Sequence, residues 1–173
     1  KVYSKDVANA ANACGKSENQ GVGLAMLMGD VKASERAWKL KDEFQKQLLA
    51  NCIAVNDRGL LHAENFQYFV SPDIDVSSET CGTMMQWVGD QTKPTVSLAH
   101  KGGEVRISSR ANRYIVDHLG IDLGAALKEA TAKVGGSGGG HNIASGGRIP
   151  LGKEDAFLKE LDRALGEQKQ EKT

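Results

Sequence analysis

Apolar positions at helical spacing organise the first third of the chain. Residues 4–14 are alanine-rich and helix-favouring, and Cys14-Gly15 is the expected stop, since glycine commonly ends helices. After a polar turn from Lys16 to Gln20, Gly21 to Met28 form a short apolar helical run closed by Gly29. Asp30 is placed to cap a long helix over 31–54, whose stripe is Ala33, Ala37, Leu40, Phe44, Leu48 and Cys52. Its other face carries Lys39, Lys41, Asp42, Glu43 and Lys46 and reads as solvated.

The period then shortens. Asn56-Asp57-Arg58-Gly59 predicts a turn, and Leu60 to Val70, rich in aromatic and branched residues, predicts a strand ended by Ser71-Pro72. Asp73 and Asp75 sit beside that proline, where aspartate is common for backbone reasons, so they read as turn formers and not metal ligands. A helix over 78–88 follows, its Met84 and Met85 expected to fill core. Pro94 opens a strand with Val96, Leu98 and His100 on one face, and Gly102-Gly103 predicts a tight hairpin. On the return strand, Val105 and Ile107 point one way while Arg106, Ser108 and Arg110 point the other. Spacing alone leaves open whether that second face meets a ligand or only solvent.

Residues 112–119 predict a short helix ended by Gly120, and Asp122 caps the next, striped by Leu123, Ala126, Leu127, Ala130 and Val134. Arg148-Ile149 reads as an edge strand stopped by Pro150. A last helix, 153–167, buries Phe157, Leu158, Leu161 and Leu165, and the polar tail from Glu167 to Thr173 is expected to fray. The pattern therefore predicts an α/β (α+β) fold. A small mixed sheet with helices on its faces, residues 55–173, is preceded by a helical connector, residues 1–54.

Between the last two helices lies Gly135-Gly136-Ser137-Gly138-Gly139-Gly140-His141-Asn142-Ile143-Ala144-Ser145-Gly146-Gly147, with seven glycines among thirteen residues. Each glycine costs conformational entropy on folding, so a run this dense implies positive φ or the close approach of another molecule to the main chain. A ligand-facing loop is expected, its unobstructed N–H groups forming an anion-binding nest beside the His141 imidazole. A flexible glycine-serine linker is the alternative, and the His, Asn and Ile within the run argue against it.

Bulk properties change this picture only locally. Formal net charge is zero over 173 residues, which argues against a protein that coats nucleic acid generically. Residues 101–153, however, hold eight lysines and arginines against four acids, so the basic surplus surrounds the glycine run. Three distant cysteines, Cys14, Cys52 and Cys81, with no Cys-x-x-Cys pair, point to reduced thiols and a cytoplasmic setting, not a zinc site. No apolar run is long enough to span a membrane, and no signal-peptide pattern is present. His62, His100 and His118 are scattered and read as structural or surface histidines. The chain opens at Lys1 straight into a helical pattern, as expected of a piece of a longer polypeptide.

Gly138-Gly139-Gly140-His141-Asn142-Ile143-Ala144-Ser145-Gly146 resembles the GGGHxxAAG signature of the DHHA1 domain, with Ser145 in place of the second alanine. Ser108-Ser109-Arg110 resembles that domain's strand ending in Ser-x-Arg, and the segments Gly120–Gly124, Val134–Gly136, Asn12–Gly15 and Gly21–Leu24 are similar to archaeal RecJ-like members of the DHH/DHHA1 phosphoesterase superfamily. The resemblance implies the substrate-binding part of a single-stranded nucleic-acid exonuclease. Its catalytic DHH domain, with two divalent ions (manganese or magnesium), would lie outside this chain, which has no Asp-His-His triplet and is expected to be inactive alone. By the same resemblance, Ser108 and Arg110 would hold a phosphate, and Gly138, Gly139 and Gly140 would admit the nucleotide to the backbone. His141 would contact the phosphate near the scissile bond, and Ala144 would pack beneath. Expected partners are a single-stranded nucleic acid or oligonucleotide and the DHH domain, with no membrane. Two other readings follow from the superfamily: a non-catalytic Cdc45-like replication partner of GINS, and a phosphoesterase of short oligonucleotides or nucleotides. The alanyl-tRNA synthetase family also uses a DHHA1 domain, but the N-terminal segments match it less well.

Overall fold

A computed structural model describes residues 3–171, which divide into two compact units between Ala50 and Asn51. In the first, helix α1 (Ser4–Lys16), helix α2 (Gln20–Leu27) and the start of helix α3 (Val31–Arg58) surround a small core of Ala10, Cys14, Met26 and Ala37. Gly15 does not stop α1. The chain turns instead after Lys16, through Glu18 at φ 57°. Asp30 caps α3 as expected, its Oδ1 accepting the Ala33 N–H at 2.8 Å.

The second unit begins within α3, which runs through the predicted turn at residues 56–58 and ends before Gly59 at φ 76°. The turn-forming residues are simply the last turn of the helix, with glycine in the left-handed position that follows. The expected strand 60–70 is broken into β1 (Leu61–His62) and β2 (Gln67–Val70), which pair antiparallel. Asn65 makes the break: its N–H donates to Asp162 Oδ1 at 2.8 Å and its side-chain amide donates to the Asp162 carbonyl at 3.1 Å.

Helix α4 (Ser77–Trp87) then leads to β3 (Thr95–Lys101), which pairs parallel to β2 and antiparallel to β4 (Glu104–Arg110). The hairpin between β3 and β4 has the predicted two-glycine turn, with Lys101 opposite Glu104. Next come α5 (Arg113–Leu119), α6 (Leu123–Lys133), β5 (Ser137–Gly140), β6 (Ala144–Pro150) and α7 (Glu154–Glu171). Asn112 and Asp122 cap α5 and α6, and Gly120 closes α5 at φ 73°. The last helix continues past the predicted end at 167, so the expected fraying does not occur up to Glu171. Lys1, Val2, Lys172 and Thr173 lie outside the described residues.

The six strands form one mixed sheet in the order β1-β2-β3-β4-β6-β5. Arg148-Ile149 therefore belongs to an interior strand, and the edge is β5, the glycine segment itself. One face of the sheet buries Val96, Leu98, Val105, Ile107 and Ile149 against Ile115, Leu127, Phe157, Leu161 and Leu165. On the other face Phe69 packs with Val55, Cys81 and Met84 of α3 and α4. Both methionines of α4 are buried, as predicted.

Two buried amides pin the loops at the sheet ends. Asn51 donates to Ser71 Oγ at 3.0 Å and Thr80 Oγ1 at 2.8 Å and accepts the Asp73 N–H at 3.1 Å. Gln67 exchanges hydrogen bonds with both backbone groups of Asp90, at 2.9 and 3.0 Å. Asp73 accepts the Asp75 N–H at 2.9 Å, the turn-forming role read from the sequence.

Glycine replacement separates free helix positions from close approaches. A Cβ at Gly82, within α4, meets nothing within 4 Å. Gly82→Ala is expected to raise unfolding stability by about 0.5–1 kcal/mol. A Cβ at Gly124 would collide with the Gly140 carbonyl, so Gly124→Ala is expected to lower it by about 1–3 kcal/mol. Urea denaturation of the two variants measures both signs.

Candidate functional site

The glycine run is not a loop. Residues 137–140 and 144–150 pair antiparallel as β5 and β6, joined by the turn His141-Asn142-Ile143. Glycine offers no side-chain alternation to reveal a strand, yet its N–H and C=O enter a ladder as well as any other residue's. Successive N–H groups of an extended strand point to opposite edges. The expected concave amide nest, which needs them to converge, is therefore not what these glycines build.

What they build is a ribbon without side chains. On one face, α6 lies directly against it: a Cβ at Gly138 would stand 3.0 Å from Thr131, and one at Gly147 3.2 Å from the same residue. Gly140, at φ 145°, leaves its carbonyl against Gly124 at the start of α6. The other face is bare. Gly139 has φ 150°, a conformation side chains disfavour, but a Cβ there would meet nothing within 4 Å.

Register assigns the predicted site residues to faces. Arg110 opposes Ala144 and Ser108 opposes Gly146, which in turn opposes Gly139, so these residues share the bare face. Gly138 and Gly140 alternate to the face under α6, away from Arg110. His141 is exposed in the turn, where its N–H donates to the Ala144 carbonyl at 2.9 Å. The turn is tied from both sides: Ala111 donates to the Ile143 carbonyl at 2.9 Å, and Leu123 to the Asn142 carbonyl at 3.2 Å. Because Ala111 directly follows Arg110, the arginine and His141 occupy the same end of the sheet.

The Arg110 guanidinium is held in place. Nη2 donates to Ser78 Oγ at 2.6 Å and Nη1 to the Ser109 carbonyl at 2.8 Å. Ser78 escaped the sequence reading, although the Ser77-Ser78 pair at the start of a predicted helix was the available signal. Helix α4 reaches this face through small polar contacts. Ser77 Oγ donates to Ser97 Oγ at 3.0 Å, and Cys81 Sγ donates to the carbonyls of Thr95 at 3.2 Å and Ser108 at 3.4 Å. Burial pushes the Cys81 thiol up to about 12, outweighing the opposing charge of Arg110. Nearby, Tyr114 is half exposed and stacks on His118 with centroids 5.0 Å apart; His100 instead pairs with Glu154 at 2.9 Å. Asp73 and Asp75 fall in no metal-binding group: among the described residues, no cluster of three His, Cys, Asp or Glu side chains could hold a metal ion.

A helix seated on a side-chain-free ribbon at the edge of an open mixed sheet defines the class of domain. The chain belongs to the DHHA1 domain family, whose match covers residues 65–167. It is 29% identical over 157 residues to the uncharacterized protein MJ0831 of Methanocaldococcus jannaschii, covering 91% of this chain and 34% of that protein. Its structure is similar to RecJ of Thermus thermophilus in complex with Mn2+, with a TM-score of 0.72 at 16% identity, over 94% of this chain and 24% of RecJ. It is also similar to CDC45 from Entamoeba histolytica, with a TM-score of 0.63 at 12% identity, over 91% of this chain and 37% of that one. At these identities the likeness to both structures is one of fold. The chain spans about a third of the M. jannaschii protein and about a quarter of RecJ.

Two outcomes follow from the local chemistry. Ser145 Oγ is buried without a hydrogen-bond partner among the described residues. Ser145→Ala, which restores the alanine of the family signature, is expected to raise stability by up to about 1–2 kcal/mol in thermal denaturation. Cys81 stays a neutral, buried thiol up to high pH. Its folded value is raised, so its contribution to stability is complete below the ordinary thiol value and is lost as pH climbs toward about 12. Iodoacetamide at pH 8 should leave it unmodified in the native protein and label it in urea, as read by peptide mass spectrometry.

Proposed function

We propose that this chain is the part of a phosphodiester-cleaving enzyme that grips a single-stranded nucleic acid. Arg110 takes a backbone phosphate, with Ser108 beside it, and the strand face formed by Gly139, Ala144 and Gly146 lets the sugar-phosphate chain lie close. His141 donates to the same phosphate from the end of the sheet and stabilises charge there. Ser78 and the Ser109 carbonyl order the guanidinium in advance, so binding sacrifices little of its freedom. That bracing of an arginine beside a side-chain-free strand face is the observation that carries the reading. The fold it shares with RecJ is in keeping with it.

Residues 1–54 act in this reading as a helical connector to a DHH lobe. In this reading hydrolysis belongs to that lobe and its two divalent ions. This chain contributes binding and orientation. The setting is cytoplasmic.

Fluorescence anisotropy with labelled oligothymidylate tests the proposal. Arg110→Ala should weaken binding about 10–100-fold, the range for losing a charged hydrogen bond, and equally across sequences. Arg110→Lys should fall between the two, since it keeps the charge and loses the planar fork. Unchanged affinity after Arg110→Ala would place the site elsewhere. Absence of any oligonucleotide binding, together with retention of GINS in a pull-down by the His141→Ala variant, would favour the non-catalytic replication partner instead. Preference for mononucleotides over longer chains would favour the short-substrate phosphoesterase.

A further inference from the structure

Two pleats along β4 from Arg110, the same bare face carries a second basic position. Arg106 lies directly opposite Arg148 of β6. Side chains in such a register stand about 4.5–5.5 Å apart at Cβ, and like charges there repel. Both residues are exposed, and neither takes part in the salt bridges seen among the described residues. Among the described residues, Arg148 Nε donates to Ser137 Oγ at 3.4 Å. The nearest acid along the strand, Glu104, has its own cross-strand neighbour in Lys101. Arg148 and Ser137 also line a cleft of about 440 Å³, floored by Gly135 and Gly136 and bounded by Glu104.

From this we infer that Arg106 and Arg148 form a second phosphate subsite for the same single strand, resting on the phosphate-binding reading of Arg110. Four residues of extended chain separate Arg106 from Arg110, about 13 Å at ~3.3 Å per residue. That exceeds one repeat of a nucleic-acid backbone. A dinucleotide anchored at Arg110 therefore cannot reach the pair, whereas a longer strand crossing Ser108 and Gly146 can. The repulsion between the two guanidinium groups is relieved when a phosphate lies between them. The pair accordingly selects for length and not for sequence.

The test compares 5′-phosphorylated dithymidylate with the octamer on the wild-type chain, Arg106→Gln/Arg148→Gln, Arg106→Lys/Arg148→Lys and Arg110→Ala, at several salt concentrations. The wild type should bind the octamer at least 10-fold more tightly than the dimer. The Gln pair should bind the dimer within twofold of wild type, lose most of the octamer's advantage, and show a salt slope shallower by about 0.7, the loss of one phosphate contact. The Lys pair should recover most of that slope. Removing the opposed charges should leave the melting temperature unchanged or higher, which keeps a binding loss from being read as unfolding. If the Gln pair retains the octamer's advantage and slope while Arg110→Ala weakens both probes, this subsite is overturned and the Arg110 reading stands. If the wild type binds neither probe, both fall together.

Discussion

Helix α6 can lie against the β5–β6 ribbon only because the contact surface has no Cβ atoms. Gly124 on the helix meets the carbonyl of Gly140, while a Cβ at Gly138 or Gly147 would stand 3.0 or 3.2 Å from Thr131, tighter than ordinary contact. A methyl group at Gly124 would collide with backbone, and one at Gly138 or Gly147 would force Thr131 to shift. That close seat brings the turn 141–143 to the end of β4, where it is tied by Ala111 and Leu123. Pairing with β5 makes β6 an interior strand, and a Cβ at Gly139 on the far side of the ribbon would meet nothing within 4 Å.

The opposite face combines the apolar cluster of Val55, Phe69, Cys81 and Met84 with a set of polar contacts. Where α4 crosses β3 and β4, serine, cysteine and arginine meet in place of the branched residues found on the core face. Buried polar groups are costly unless satisfied, and here nearly every one has a partner. Ser78 is one of them, and its partner is the arginine that the functional reading relies on. The same contact that docks the helix thus orders the guanidinium in advance.

The face as a whole is a track: Arg106, Ser108 and Arg110 along one strand, with Arg148, Gly146 and Ala144 along its neighbour. Positive charge sits at both ends, and nearly bare main chain lies between. The chain belongs to the DHHA1 domain family and spans about a third of its M. jannaschii relative.

Much of this was legible from residue order. The helix caps at Asp30, Asn112 and Asp122, the Gly102-Gly103 hairpin and the alternation that sets Arg106, Ser108 and Arg110 against Val105 and Ile107 depend on contacts a few residues apart. Local chemistry therefore determines them. The glycine run could not be read this way, because strand assignment from sequence relies on side-chain alternation and glycine has none. That it forms the sheet edge, and that Gly138 and Gly140 turn away from Arg110 while Gly139 joins it, was decided by pairing with β6 and by the approach of α6. The bracing of Arg110 by Ser78 and the meeting of Arg106 with Arg148 likewise join residues more than thirty positions apart. Sequence specified the components and their local turns. Tertiary packing alone specified which of them share a face, because only the assembled sheet brings distant strands into register.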